Sequence, residues 1–150
     1  MKILIDADGC PVVDITIKVC KELDIKPIIM CDTSHIIEKK GIDTIVISKG
    51  FDAVDFALLN RVEKGDIVVT QDYGLAAMVL SKGGYPINQN GMIYDSENID
   101  RLLFTRHLSK KARNAGYRTK GPKKRSKEDD IKFEENLIKL IKNINLNSNK

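Results

Sequence analysis

The sequence predicts an α/β fold of three layers, in which a mainly parallel sheet of about five strands lies between helices. Short apolar runs of strand length alternate along the chain with segments whose apolar residues recur at helical spacing, and this alternation is typical of parallel sheets covered on both faces. The 150 residues fit one compact unit. We divide them into an α/β part at 1–115, a basic loop at 116–126 and a C-terminal helix at 127–150 that packs on the same domain and frays at its end.

The strands are expected where apolar residues run without interruption between turn signals. The first, Ile3 to Ile5 with its neighbours, reads as fully buried. The Asn90-Gly91 pair is a turn signal that splits the last segment into a pair of strands. The predicted strands are 2–5, 28–31, 44–48, 67–70 and a pair near 85–94.

Five helices are expected between and after these strands. Pro11 suits the first turn of the first helix, because an N–H there would lack an intrahelical acceptor anyway. The predicted helices are 11–23, 52–63, one from near Gly74 to the Gly83-Gly84 pair, 96–115 and 127–144.

Composition narrows the class of protein. The three cysteines, Cys10, Cys20 and Cys31, form no C-x-x-C pair and leave one odd thiol, which argues against a disulfide framework and a cysteine zinc site. The sequence has no signal-peptide pattern and no apolar run of membrane-spanning length. A cytoplasmic protein without membrane contact is therefore expected.

Charge is unevenly distributed. From Arg106 to Lys127 there are ten Lys or Arg and no Asp or Glu, whereas the rest of the chain carries 15 basic and 21 acidic residues. Basic blocks of this kind often contact phosphate backbones, and a solvated linker is the alternative. The predicted nucleic-acid contacts are Arg118, Lys120, Lys123, Lys124 and Arg125.

Four acids are expected to meet at the carboxyl edge of the sheet. Asp6 and Asp8 follow the first strand and Asp72 follows the fourth, while Asp55 lies in the first turn of the helix before the fourth strand. Ligands of open α/β sheets bind at this edge. Four neighbouring carboxylates repel one another, and a divalent cation relieves that repulsion. Oxygen donors without histidine favour Mg²⁺ or Mn²⁺ over zinc.

Other polar residues are expected to lie elsewhere. Asp66 precedes the fourth strand and belongs at the opposite edge with Asp24 and Asp43. His35 and His107 are expected away from the acids, as surface or structural residues. A purely structural alternative remains for the acids themselves, as caps at strand ends and as charges at helix N-termini. Asp52 is expected to be an N-cap, and the helix dipole alone would account for Asp55.

Five motifs in order resemble the YaiI/YqxD family, a bacterial family of uncharacterised function grouped with PIN-like domains. They are "DADGCPV", "GFDAVDFALL", "GDIVVTQDYGLAA", "INQNGMIYDSENI" and a "GP" followed by Phe133. The resemblance implies a PIN-like fold, and PIN-like domains are typically metal-dependent nucleases.

The resemblance also suggests roles for the acids. Asp6, Asp55 and Asp72 fall on the acidic positions of PIN-like domains, and Asp8 is the family's own second acid. The leading hypothesis is therefore a metal-dependent nuclease that acts on RNA, with DNA as the alternative substrate. We expect Asp6 and Asp72 to be direct ligands of the metal and Asp8 and Asp55 to bind it directly or through water. The sequence departs from the family at Gly9, where Ala is usual, and at Gly74, where Pro is usual.

Two other functions stay open. "IDADG" also matches the opening of haloacid-dehalogenase-like phosphatases, with Asp6 as nucleophile and Asp8 as general acid. Ser48 and Lys49 could serve as the later polar residues, but Cys10-Pro11 replaces the usual Thr. The other is a non-catalytic nucleic-acid-binding module, in which the absence of Trp leaves binding mostly electrostatic.

Overall fold

The structure, a computed structural model, describes residues 1–48, 50, 53–116 and 124–148. Within these residues five parallel strands form one sheet in the order β3-β2-β1-β4-β5. The sheet confirms the predicted α/β class. The strands are β1 (Lys2–Asp6), β2 (Lys26–Asp32), β3 (Asp43–Ile47), β4 (Ile67–Val69) and β5 (Tyr85–Ile87).

The predicted last pair of strands is one strand and an isolated bridge. After β5 the side chain of Asn88 accepts hydrogen bonds from the backbone N–H groups of Asn90 and Met92, at 2.9 and 2.8 Å. This tight turn leaves only an antiparallel bridge between Ile87 and Ile93. The turn signal was therefore correct, but the segment after it is too short to form a strand.

Helices connect the strands and follow the sheet. The first begins at Val13, so Pro11 lies in the preceding turn and not in the helix, contrary to the prediction. In that turn the Cys10 N–H donates to the Ala7 carbonyl at 3.1 Å. The helices are α1 (Val13–Glu22), α2 (Ala53–Arg61), α3 (Tyr73–Ser81), α4 (Ser96–Asn114) and α5 (Lys127–Ser148). Asp52, the predicted cap of α2, lies outside the described residues.

The three layers appear in the packing of the core. One face of the sheet packs against α1 and α5, with Phe133 and Leu137 of α5 fully buried there. The other face packs against α2 and α3 through Leu58 and Leu75. The α4 helix packs on α3, beside the buried ring of Tyr94. These contacts confirm the three-layer arrangement with C-terminal helices.

The strand order locates the switch point of the fold. From β1 the chain proceeds outward through β2 to β3, and it then returns to the other side of β1 to form β4 and β5. The carboxyl ends of β1 and β4 therefore diverge into loops on opposite faces and leave a crevice between them.

Two further properties concern the cysteines and the helices. Cys10, Cys20 and Cys31 are free thiols. None of the described helices combines the length and the apolar character needed to cross a membrane.

Candidate functional site: an acidic cavity at the switch point

A cavity of about 510 Å³ opens at the carboxyl ends of β1, β2 and β4. Five aspartates line it: Asp6, Asp8, Asp32, Asp55 and Asp72. The structure thus brings the four predicted acids to one cavity and adds a fifth. We call it the acidic cavity.

Thr70 joins the two acids that end the central strands. Its hydroxyl donates to Asp6 Oδ2 at 2.8 Å and accepts from the backbone N–H of Asp72 at 3.0 Å. Its carbonyl accepts from the buried Tyr94 hydroxyl at 3.2 Å. Thr70 is itself buried, so one buried hydroxyl links the Asp6 carboxylate to the backbone of Asp72.

Asp6 is half-buried beside other carboxylates. The pKa of Asp6 is raised from 3.8 to about 6, mainly because the side chain is buried and to a smaller extent because Asp72 and Asp8 carry like charges, whereas the Thr70 hydrogen bond acts to lower it. The surroundings of Asp6 therefore disfavour its ionised form relative to its protonated form.

Asp72 has a structural role as well as a place in the cavity. It is the N-cap of α3, and its Oδ1 accepts from the N–H groups of Gly74 and Leu75 at 2.8 and 3.2 Å. The same oxygen lies 3.5 Å from Nη1 of Arg106. The cap alternative is correct for Asp72, and the glycine at position 74 supplies an N–H that a proline would lack.

The β1–α1 loop presents Asp8 to solvent. Gly9 adopts a left-handed backbone with φ of 66°, which favours glycine, and its carbonyl accepts from the Gln71 side chain at 2.9 Å. This contact ties the loop to the residue before Asp72.

His35 lies closer to the acids than the sequence predicted. Its Nδ1 is 3.8 Å from Asp8 Oδ1, and both side chains are exposed. At the end of β2 the Oδ1 of Asp32 accepts from the N–H groups of Ser34 and His35 at 2.8 and 3.1 Å, and this turn positions His35. The expected separation of His35 from the acids was therefore wrong, but His35 is a surface residue as expected, and His107 is exposed on α4 as expected.

Arg106 of α4 brings positive charge to the acidic cavity. The sequence analysis assigned Arg106 to the basic block and did not predict its contact with the acids. That contact depends on the docking of α4 on α3, which local sequence patterns do not reveal. Asp32 ends β2 as Asp6 ends β1, so the strand-end rule was sufficient to find it.

The donors of the cavity suit a hard cation, because carboxylate oxygens are the ligands that Mg²⁺ and Mn²⁺ prefer. Across the described part of the chain, however, no three His, Cys, Asp or Glu side chains form a group that could hold a metal ion together. The cavity therefore offers the right donor chemistry in an arrangement that is not a closed coordination shell.

The basic segment is described only in part. Arg118, Lys120 and Lys123 lie outside the described residues, and Lys124 is exposed. All three guanidinium nitrogens of Arg125 donate hydrogen bonds, to Asp130 Oδ1 at 2.7 Å, Asn90 Oδ1 at 2.9 Å and the Gln89 carbonyl at 2.8 Å. Arg125 thus fastens the start of α5 to the turn after β5, and its contact with nucleic acid stays a prediction.

Comparison with known proteins places this chain in a family. Residues 4–143 match the model described as "Uncharacterized BCR, YaiI/YqxD family". The chain is 53% identical over 141 residues to a UPF0178 protein of Exiguobacterium sibiricum, covering 94% of this chain and 96% of that one. It is 52% identical over 143 residues to a UPF0178 protein of Clostridium acetobutylicum, covering 94% and 97%. No solved structure matches the chain. The chain therefore belongs to the YaiI/YqxD family.

Proposed function

We propose that this protein is a phosphodiesterase that depends on Mg²⁺ or Mn²⁺ and cleaves nucleic acid, with RNA preferred to DNA. The observation that supports the proposal is the acidic cavity, in which Asp6 and Asp72 are held together by one buried threonine hydroxyl. Burial and the neighbouring carboxylates disfavour the ionised form of Asp6, and a divalent cation would relieve this repulsion.

Each residue has a part in the proposed reaction. Asp6 and Asp72 would hold the cation, and Asp8 and Asp55 would bind it directly or through water. When bound, the cation supplies an activated water and stabilises charge on the phosphoryl oxygens. Arg106, 3.5 Å from Asp72, would orient the phosphate and stabilise its developing negative charge from the other side.

The test is cleavage of a labelled single-stranded RNA by the purified protein with Mn²⁺, Mg²⁺ or EDTA. We expect cleavage only with the metal, and we expect Asp6→Asn and Asp72→Asn each to abolish it. Asp43→Asn is the matched control, because Asp43 is exposed at the opposite edge and pairs only with Lys26 at 3.1 Å among the described residues.

The outcome also separates the competing functions. Release of phosphate from a monoester, without cleavage of RNA, would point to the phosphatase instead. Metal-independent binding of RNA without cleavage would leave a binding module. Equal cleavage by the parent and Asp6→Asn would indicate a contaminating nuclease and refute the proposal.

Metal binding has a readout that needs no substrate. A cation at a hundred times its Kd adds about 2.7 kcal/mol to the free energy of unfolding, which corresponds to a rise in melting temperature of roughly 5–10 °C for a domain of this size. Saturating Mn²⁺ should produce that rise in the parent and a much smaller one in Asp72→Asn.

A further inference from the structure

A second cavity of about 440 Å³ adjoins the acidic cavity, in the cleft that α2 and α4 form over α3. Asp55, Asp72 and Arg106 line both cavities, so the two meet at these residues. A chain-like ligand bound at the acids could therefore continue into the second cavity without leaving the surface. We call it the α2–α4 cleft.

The lining of the α2–α4 cleft differs in kind from that of the acidic cavity. Phe56, Leu75 and Met78 provide apolar surface, and Lys110 adds a second cation to that of Arg106. Phe56 is 58% exposed, so its ring is accessible to a ligand in this cleft. Apolar surface with cations on one wall is the combination that binds the bases and the phosphates of a single strand.

The spacing on α4 suits successive phosphates. Arg106 and Lys110 are four residues apart, which places them on the same face of the helix, about 6 Å apart along its axis. That separation is comparable to the distance between neighbouring phosphates of an extended strand. Arg106 would then contact the phosphate nearest the acids and Lys110 the next one.

We infer that the α2–α4 cleft is the subsite for the nucleotide beside the cleaved bond, with Lys110 on its phosphate and its base stacked on Phe56. The inference rests on the proposed function for its substrate class, and it adds a preference for single strands. In a duplex the base faces are stacked on their neighbours, so the Phe56 ring has no face to contact.

Binding of a short fluorescein-labelled oligoadenylate, measured by anisotropy in EDTA, tests the subsite without any cleavage. Phe56→Ala should weaken binding at least about fivefold, the lower end of what one base–aromatic stack contributes, with an unchanged salt dependence. Lys110→Ala should reduce the slope of log affinity against log salt by about 0.7, the value of one phosphate contact on a single strand.

Two control variants lie on the same helix. Phe104 is 62% exposed and Lys111 is also exposed, and neither lines the cleft. Phe104→Ala and Lys111→Ala should leave both affinity and slope as in the parent. A duplex of the oligoadenylate with its complement should have the same affinity for Phe56→Ala as for the parent.

The results distinguish this inference from the proposed function. If the parent fails to bind, or if the Phe56 and Lys110 variants bind like the two controls, the subsite is refuted. Metal-dependent RNA cleavage in that case would still uphold the proposed function. Binding that depends on Phe56 and Lys110, in a protein that cleaves nothing with Mn²⁺, would instead uphold the α2–α4 cleft as a binding site for single strands and refute the nuclease.

Discussion

At the amino edge of the sheet Asp66 is buried within a complete set of donors, whereas at the carboxyl edge five aspartates line an open cavity. Asp66 accepts from the Lys2 ammonium at 2.6 Å, the Lys2 N–H at 3.1 Å and the Glu63 N–H at 2.8 Å. An aspartate at the amino edge is thus paired with a cation and with backbone donors, whereas the aspartates at the carboxyl edge lie close to like charges.

The difference distinguishes the surroundings of Asp66 from those of Asp6. A carboxylate that serves stability is matched by a cation and by backbone donors, because a buried charge without them is costly. Asp6 has the Thr70 hydroxyl at 2.8 Å, but its surroundings still raise its pKa to about 6. Under the proposed function, a bound cation would relieve this unfavourable charge.

The largest expected effect comes from breaking the amino edge. Asp66→Ala leaves the Lys2 ammonium, whose side chain is only 21% exposed, without its close partner, and it also removes the acceptor of two N–H groups. We expect a loss of about 3–5 kcal/mol in the free energy of unfolding, which corresponds to a fall in melting temperature of about 6 °C or more. Urea and thermal unfolding measure both quantities.

The exposed pair at the same edge is the control for that variant. Asp43→Ala breaks the Lys26–Asp43 contact, in which both side chains are more than half exposed, and should change the free energy of unfolding by less than about 1 kcal/mol. Equal effects of Asp66→Ala and Asp43→Ala would contradict the structural role assigned to Asp66. Because Asp66 is expected to stabilise the fold, Asp66→Asn is a poor control in the activity assay, although Asp66 lies at the opposite edge from the acidic cavity.

The sequence was sufficient to predict the class of fold, the parallel strands and the meeting of Asp6, Asp8, Asp55 and Asp72. Those features follow from local periodicity and from one rule about strand ends, so no long-range contact had to be known. Asp66 was placed at the correct edge by the same rule.

The features that the sequence did not reveal depend on how separate elements meet. The Lys2–Asp66 pair requires the register of β1 against β4, in which Ile3 aligns with Ile67. The approach of Arg106 to Asp72 requires the docking of α4 on α3, and the role of Arg125 requires the turn after β5 to contact α5. Each joins residues more than thirty positions apart, which local patterns do not encode.

The second prediction concerns Asp6. Removing its charge is expected to raise the free energy of unfolding at neutral pH, whereas removing the Asp66 carboxylate is expected to lower it. Since the folded state holds the pKa of Asp6 near 6 and the unfolded state near 3.8, the folded state binds more protons between those values. The contribution of Asp6 to the free energy of unfolding of the parent therefore falls as pH rises from about 4 to about 6, by roughly 3 kcal/mol at most. Asp6→Asn lacks that loss and keeps an acceptor for Thr70.

Urea unfolding of the metal-free protein at a series of pH values measures the difference. Asp6→Asn should match the parent near pH 4 and exceed it at pH 7. Asp43→Asn should follow the parent throughout. A variant that is less stable than the parent at pH 7 would show that Asp6 is held by favourable contacts, as Asp66 is.

The smallest expected effect separates the two roles of Asp72. Asn caps helices about as well as Asp, whereas Ala cannot accept the N–H groups of Gly74 and Leu75. In EDTA we expect Asp72→Asn to be at least as stable as the parent, because it relieves repulsion with Asp6, and Asp72→Ala to lose about 0.5–2 kcal/mol. Thermal unfolding of the three proteins decides the matter. If Asp72→Asn is destabilised as much as Asp72→Ala, the negative charge itself stabilises the fold through Arg106 and the α3 dipole, and the carboxyl edge would then resemble the amino edge after all.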